Sequence, residues 1–149
     1  SPISNCIVAY SLSPSNLAGV LDNKAPSIER RVNALKTLAK NGWTVGLRFD
    51  PLIYCSGWEN LYSELIQDIF TDINIDKVHS VSHGPLRFPK EMYKKITSLY
   101  PDDKLFSFPM ETKGGIVSYG TDIEQEMSLF LQSELEKYTT KKKIFRCLV

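Results

Sequence analysis

The chain has 149 residues, with 18 Lys+Arg against 17 Asp+Glu and a formal net charge of +1 at pH 7. Apolar residues make up 42% and charged residues 23%, which is ordinary globular composition and argues against a disordered chain or a strongly basic nucleic-acid binder. The length suits one domain over residues 1–149.

Neither a membrane span nor a disulfide framework is indicated. The longest apolar run, residues 6–10, is far too short to cross a bilayer, and the first ten residues lack the features of a secretory signal. The three cysteines are odd in number and widely spaced, which argues against paired disulfides and a self-contained zinc site. We expect a cytoplasmic protein with no membrane partner and no resident metal, and thiols that are core or strand residues.

The first half of the chain alternates between strand and helix patterns. Residues 6–12 are short, apolar and partly β-branched, which predicts a buried strand. Apolar positions at helical spacing predict a helix over residues 28–40, with Ser27 as its N-cap and Gly42 as its stop.

A second strand and helix follow. Residues 43–49 predict a strand that ends at the Asp-Pro pair 50–51, and residues 58–70 carry one continuous apolar stripe. Ser56 and Glu59 have the spacing of a capping box at the start of that helix.

The pattern continues with a strand over residues 77–82 and a helix whose first turn contains Pro89. Residues 105–108 predict a weak fourth strand. The expected buried face of the helix that Pro89 begins consists of Met92, Tyr93, Ile96 and Leu99.

Residues 109–120 contain three glycines and predict a β-hairpin or a protruding loop. Thr121 and Glu124 have capping-box spacing and predict the start of a last helix. Residues 143–149 predict a final strand, and Lys141–Lys143 suits a solvated turn after that helix.

This order predicts an α/β domain with about five mostly parallel strands alternating with helices, plus a small hairpin. In such folds ligands bind where the carboxyl ends of the strands meet. The candidates selected by that rule are Ser11 and Ser13, Asp50 to Tyr54, Ser82, His83, Gly84, Arg87, and residues 109–119.

Each candidate also has an ordinary structural explanation. The serines after the first strand and Asp50 could cap turns, and His83 could be a plain loop histidine. Arg87 could form a surface ion pair, and Tyr119 could fill the apolar side of the hairpin. Common catalytic motifs such as GxSxG, HExxH and a phosphate loop are absent, and a Cys55–His83 nucleophile pair would need hydrogen-bond contact.

Several segments resemble one family. They are the IVAYSLSP stretch, the block from APSIERR through GLRFDPLIYCSGWENLYSEL, VSHGPLRFP, and the GGIVSYG hairpin. Together these motifs and their spacings, from about Ile7 to Phe145, are similar to the C-terminal half of spore photoproduct lyase and its radical S-adenosylmethionine relatives.

The resemblance implies a partial (β/α) barrel of the radical S-adenosylmethionine type. The family's CxxxCxxC loop, which holds a [4Fe–4S] cluster, has no counterpart here, and Cys6, Cys55 and Cys147 cannot supply its spacing. The resemblance therefore implies a C-terminal portion whose partner is an N-terminal, cluster-bearing half. The family's hydrogen-donor cysteine also lies upstream, so none of these cysteines inherits that role.

The resemblance assigns few residues. Ser11 and Asp50 fall at positions that contact S-adenosylmethionine, although the spore enzymes carry a small apolar residue at the second position. Tyr119 falls on a hairpin that wedges beside a DNA lesion, which implies nucleic-acid binding. The arginine expected before it is Ser118, and the Cys55-Ser56 pair replaces His-Glu, which implies a sister branch.

The resulting hypothesis is a C-terminal fragment of a thymine-dimer-repairing radical enzyme, with a partial S-adenosylmethionine site and no activity alone. Balanced charge predicts at most weak, salt-sensitive DNA binding. One alternative is a non-catalytic protein-interaction or nucleic-acid-binding half-barrel module that forms homo-oligomers through an exposed sheet edge. Another is a small hydrolase that uses Asp50 and His83. Beyond these, Ser13, Tyr54 and Arg87 remain candidate rim residues.

Overall fold

A computed structural model describes residues 1–21 and 24–147. The helices are α1 (Ser15–Leu21), α2 (Ile28–Lys40), α3 (Trp58–Thr71), α4 (Lys90–Leu99) and α5 (Thr121–Glu136). The strands are β1 (Ile7–Ser11), β2 (Thr44–Leu52), β3 (Val78–Pro85), β4 (Arg87–Pro89), β5 (Met110–Lys113), β6 (Ile116–Tyr119) and β7 (Ile144–Arg146).

The main sheet is parallel. Four strands lie in the order β1-β2-β3-β7, and each neighbouring pair is parallel, which confirms the α/β class with parallel strands. The predicted fourth strand at 105–108 is wrong: Lys104–Phe106 forms a 3₁₀ turn, capped by the Asp103 carboxylate, which accepts a hydrogen bond from Leu105 N–H at 2.9 Å.

A smaller antiparallel sheet carries the predicted hairpin. Its strands lie in the order β4-β6-β5, and β5 and β6 are joined by Gly114 and Gly115. Both glycines have positive φ, at 54° and 88°, a backbone region that favours glycine. The hairpin prediction is confirmed, and β4 extends it to three strands.

Alternation along β2 separates the core from the other face of the sheet. Val45, Leu47 and Phe49 are fully buried in the hydrophobic core, while the intervening residues lie on the opposite face. The core side is covered by the buried faces of the helices. Their principal buried residues are Val32, Leu35, Tyr62, Ile66, Ile69, Met127, Leu131 and Leu135.

Two strand predictions need correction. β1 is not a buried strand: it lies at the sheet edge, and its residues alternate between exposed and half-buried because helices cover one face only. β2 does not end at residues 50–51. It runs on to Leu52, whose partner in β3 is Pro85, after a register irregularity that follows Phe49.

The predicted capping signals agree with the observed helix ends only in part. The Ser27 hydroxyl accepts a hydrogen bond from Arg30 N–H, and Gly42, with φ of 88°, follows the last turn of α2, so both predicted signals are confirmed. Both capping boxes are wrong. Gly57 and Gly120 are the N-caps of α3 and α5, and neither helix has a side-chain cap hydrogen bond.

Helix α4 contradicts the expectation of a buried face. None of its residues is buried, and Met92 and Leu99 are 53% and 63% exposed. Tyr93 and Ile96 are half-buried, and the Tyr93 ring contacts Phe88 of β4 and Phe106 of the 3₁₀ turn. Helix α1 was not predicted, and the final-strand prediction holds for Ile144–Arg146, while residues 148–149 lie outside the described part.

Within residues 1–21 and 24–147, no helix combines the length and the apolar character needed to cross a bilayer.

Two leucines on α5 provide a matched test of this packing. Leu131 is fully buried and Leu129 is 61% exposed. Leu131→Ala removes core contacts and leaves a cavity, so we expect a loss of about 2–5 kcal/mol in the free energy of unfolding. Leu129→Ala should change it by less than about 0.5 kcal/mol. Urea denaturation measures both, and equal losses would contradict the packing described.

Candidate functional site

One face of the parallel sheet is lined by small and polar side chains and is not packed by the helices. We call it the open face. It carries residues at alternate positions of β1, β2 and β3, which the parallel register places side by side. On β1, β2 and β3 it carries Ile7, Ala9, Ser11, Thr44, Gly46, Arg48, Asp50, Ser80, Ser82 and Gly84.

The two predicted cofactor positions lie at the same end of this face. β1 and β2 are parallel neighbours, and Ser11 is the Cα partner of Arg48, two residues before Asp50. Because the carboxyl ends of parallel strands meet at one edge, the predicted placement of Ser11 and Asp50 on one rim is confirmed. What either residue binds stays a prediction.

Arg48 is a polar residue of this face that sequence reasoning missed. Its Nη1 donates to Ser80 Oγ at 3.1 Å, to the Leu47 carbonyl at 3.2 Å and to the Ser80 carbonyl at 3.4 Å. A Cβ on Gly46 would lie 3.0 Å from Arg48 Nη2, so the side chain lies across that glycine. The sequence signal for Arg48 was its spacing from Asp50, since residues two apart on a strand lie on the same face of the sheet.

Asp50 and Arg87 form a bidentate ion pair. Arg87 Nη1 donates to Asp50 Oδ1 and Nη2 donates to Oδ2, both at 2.9 Å, and Nη1 also donates to the Pro85 carbonyl at 3.0 Å. The hydrogen bond to Asp50 raises the pKa of Arg87, although partial burial opposes the shift. The pair joins β2 of the parallel sheet to β4 of the small sheet. Both carboxylate oxygens of Asp50 accept hydrogen bonds from Arg87.

Gly84 makes room for this pair. A Cβ at that position would lie 2.9 Å from Arg87 Nη1, 3.0 Å from the Cys147 Cβ and 3.3 Å from Asp50 Oδ2. The space above Gly84 is therefore filled by the two paired side chains. Cys147 reaches the same level of the sheet because its N–H donates to the His83 carbonyl at 2.8 Å.

Two buried tyrosines hold the loop that follows β2. The Ile53 N–H donates to Tyr62 Oη at 3.0 Å, and the Tyr54 N–H donates to Tyr119 Oη at 3.1 Å. Burial raises the pKa of Tyr119 to about 12, although the hydrogen bond from Tyr54 partly opposes the shift. Both phenols therefore act as neutral structural groups.

Tyr119 does not lie at the exposed tip of the hairpin. Its side chain is fully buried, and its ring centroid lies 6.1 Å from that of Tyr54. In this arrangement the ring packs inside the protein and presents no free face to a base. Its nucleic-acid-binding role stays a prediction, and the alternative of filling the apolar side of the hairpin agrees with the packing.

Tyr54 lines a cavity of about 340 Å³ beside the rim. Its ring makes an edge contact with Phe108 at 4.9 Å and lies 5.8 Å from Trp58. The predicted rim position of Tyr54 therefore lies on an aromatic cluster next to a largely apolar space. The residues lining the cavity are Leu17, Ile53, Tyr54, Cys55, Asp103, Lys104 and Leu105.

His83 lies on the other face of the sheet from Asp50. It is the Cα partner of Phe49, a core residue, and only 2% of it is exposed. Burial, helped by the positive charge of Arg146 and opposed by Asp50, lowers the pKa of His83 to about 4. No hydrogen bond or ion pair joins its side chain to Asp50 among the described residues, so the structure does not support the hydrolase alternative.

The Cys55–His83 nucleophile pair also finds no support. Burial, with a smaller contribution from Glu59, raises the pKa of Cys55, which keeps the thiol protonated and unreactive. All three cysteines are free and half-buried. Ser13, two residues after the end of β1, is half-buried at the rim.

The cysteine, histidine and acidic side chains of the described residues are spread over the fold. In the 1–21 and 24–147 ranges, no group of three or more cysteine, histidine or acidic side chains is placed to hold a metal ion. A [4Fe–4S] cluster needs closely spaced thiolates.

The fold is a mixed α/β arrangement with a four-stranded parallel sheet, a three-stranded antiparallel sheet and a polar rim at the carboxyl ends of the parallel strands. Solved structures of spore photoproduct lyase have a similar fold. A cysteine-to-alanine mutant of that lyase matches with a TM-score of 0.72, at 18% identity over 94% of this chain.

Two further structures of mutants of the lyase match at the same identity and with similar TM-scores. One is complexed with dinucleoside spore photoproduct, with a TM-score of 0.70, and one with bound AdoMet and the same dinucleoside, with a TM-score of 0.68. Both are 18% identical over 94% of this chain, which spans 43–44% of their length. No protein-family model matches the sequence, and no curated protein does.

The Asp50–Arg87 pair generates a stability prediction. Asp50→Asn leaves the half-buried guanidinium without its anionic partner, so we expect a loss of about 1–3 kcal/mol in the free energy of unfolding. Glu91→Gln, which breaks an exposed pair with Lys94, is the control and should cost less than about 0.5 kcal/mol. Urea denaturation measures both losses. An Asp50→Asn variant with the free energy of unfolding of the wild-type chain would show that the ion pair does not stabilise the fold.

His83 generates a pH prediction. Its pKa is lowered to about 4 in the folded state from about 6.5 in the unfolded state, so the unfolded chain binds more protons between these values. Stability should therefore rise with pH between about 4 and 6.5, by up to about 3 kcal/mol from this residue alone.

His83→Gln should flatten that rise, measured as the difference from the wild-type chain in urea denaturation across the same pH range. The matched control is His79→Gln, since His79 is exposed on the same strand. An equal flattening by both variants would show that burial of His83 is not the cause.

Proposed function

We propose that this chain is one part of a radical S-adenosylmethionine enzyme similar to spore photoproduct lyase, and that it contributes a sector of the barrel and part of the cofactor cleft. The observation that carries the proposal is the shared fold over 94% of the chain, together with a polar open face whose Ser11 and Asp50 lie at one rim. The motif resemblance quoted from the sequence supports the same assignment.

The chain would not act alone. It spans less than half of the lyase structures, and its described residues contain no group of three or more cysteine, histidine or acidic side chains placed to hold a metal. We assign the cluster to an N-terminal half that completes the barrel. β1 suits this junction, because it is the end strand of the parallel sheet and pairs with β2 on one side.

The residues of the open face fit a polar cofactor in part. The exposed Ser11 and the buried Ser82 offer hydroxyl groups on either side of Arg48, while Asp50 is already bound to Arg87. Bound S-adenosylmethionine would supply radical chemistry once a cluster held elsewhere delivers an electron. Ser11 would bind and orient the cofactor, and the Asp50–Arg87 pair would hold the rim around it.

DNA is the substrate class that the resemblance favours, with weak binding by this chain. The net charge of +1 gives little electrostatic attraction to phosphates. The buried ring of Tyr119 would support the hairpin rather than stack on a base unless the hairpin rearranges in the complete enzyme.

A second candidate is a protein-interaction module without catalysis. Ile7 and Phe145 are 43% and 52% exposed, and they belong to β1 and β7, the two end strands of the parallel sheet. Apolar side chains at both margins favour a surface that another polypeptide, or a second copy of this chain, covers. Gel filtration over a concentration series distinguishes self-association from a monomer that awaits a different partner.

Cofactor binding tests the proposed function. Titration of the 149-residue chain with S-adenosylmethionine, followed by ¹⁵N NMR, should give saturable shifts centred on Ser11 and β2. Ser11→Ala should weaken binding several-fold, whereas Ser15→Ala, at the exposed start of α1, should leave it unchanged. The absence of saturable shifts would contradict the proposal.

Anaerobic reconstitution with iron and sulfide tests the division of labour between the halves. The chain alone should not retain a [4Fe–4S] chromophore after gel filtration, because it lacks the spaced thiolates. A retained cluster at one per chain would overturn the assignment of the cluster to another half.

A further inference from the structure

Three neighbouring strands each contribute one residue with hydrogen-bond donors to one part of the open face. The register makes Ser11, Arg48 and Ser82 Cα neighbours across β1, β2 and β3, and the Arg48 guanidinium lies over Gly46 beside Ser80. We call Ser11, Arg48 and Ser82 the donor row. Paired residues of parallel strands project to the same side of the sheet, so the three groups face the same space.

Three of the five N–H groups of Arg48 make no hydrogen bond to the described residues. All of its hydrogen bonds within the described ranges come from Nη1, which has two N–H groups. Arginine has five N–H donors in a planar fork, so Nε and Nη2 keep three of them. Both positions remain able to bind oxygen atoms.

Arg48 also lacks a counter-charge. The acceptors of its hydrogen bonds are two carbonyls and one hydroxyl, and no ion pair in residues 1–21 and 24–147 includes it. Asp50, two residues further along β2, is held by Arg87 through both oxygens. A half-buried cation with only neutral acceptors favours an anionic partner, because charge-assisted bonds are about twice as strong as neutral ones.

The surroundings add donors, and Asp50, the acidic residue on the same face, is already paired with Arg87. Ser80 Oγ accepts from Arg48 and so retains its own O–H to donate, and Ser82 is 8% exposed beside it. Gly46 leaves the sheet surface bare beneath Nη2. The result is a shallow surface that presents the Arg48 cation and neighbouring serine hydroxyls.

We propose that the donor row of Ser11, Arg48 and Ser82 is an oxyanion site that takes a carboxylate or phosphate group of a ligand. The planar fork of Arg48 matches the paired oxygens of either group, and the two serines supply the flanking hydrogen bonds. This site shares Ser11 with the proposed cofactor cleft, and it goes beyond the proposed function because it requires no cofactor or cluster.

The test titrates the 149-residue chain with inorganic phosphate in one arm and with acetate in the other, at constant ionic strength and pH 7. The readout is ¹⁵N NMR of the backbone amides and of the arginine Nε–H groups. We expect saturable shifts at Ser11, Arg48 and Ser82. Tighter binding of phosphate identifies a phosphate ligand, and equal or tighter binding of acetate identifies a carboxylate ligand.

Variants separate this site from general electrostatic attraction. Arg48→Gln should weaken binding at least tenfold, and Arg48→Lys should weaken it less, because lysine keeps the charge and loses the fork. Arg146→Gln is the matched control, since Arg146 is an exposed arginine on β7, whose partner is His83 on the other face. Thermal melting checks that each variant is folded, and Ser82→Ala, expected to weaken binding about threefold, replaces Arg48→Gln if the latter unfolds.

Shifts that do not saturate, or an equal loss on Arg146→Gln, would overturn the site and show only diffuse attraction to an adventitious ion. The outcome is distinguishable from that of the cofactor titration. Phosphate or acetate binding without S-adenosylmethionine binding would keep the oxyanion site and remove the proposed function, while the reverse result would do the opposite.

Discussion

The parallel pairing of β2 with both β1 and β3 is the constraint on which the rest of the structure depends. It fixes which side chains share a face, because a shift of one residue would exchange Val45, Leu47 and Phe49 with the polar residues between them. The buried apolar set holds the register, since exposing three such side chains would cost several kcal/mol. The polar rim is therefore positioned by the core behind it.

Much of the fold follows from hydrophobic periodicity. Helix α2 has the predicted bounds of 28–40 and the predicted N-cap, and the glycines at 114–115 form the expected hairpin. These features depend on local spacing and local hydrogen bonds, which one sequence contains. The parallel order was also predictable, since strands that alternate with helices need crossover connections.

The wrong predictions concern features that depend on how the chain is arranged in three dimensions. The apolar face of α4 has helical spacing, yet the described part covers it only at Tyr93 and Ile96, and Met92 and Leu99 stay exposed. The capping boxes fail because Gly57 and Gly120 begin their helices, so Ser56 lies one residue too early and Thr121 is already helical. Alternation in β2 contained the signal for Arg48, but only the register shows that it lies between two serines.

The two tyrosine hydroxyls beneath the rim have a dynamic consequence. The amides of Ile53 and Tyr54 are held by one phenol from α3 and another from the end of β6, two elements far apart in sequence. Protection of these adjacent amides from solvent deuterium thus requires both elements to be in place. The rim loop, α3 and the hairpin should open as a single cooperative unit, so that local unfolding of the hairpin also loosens the edge where ligands would enter.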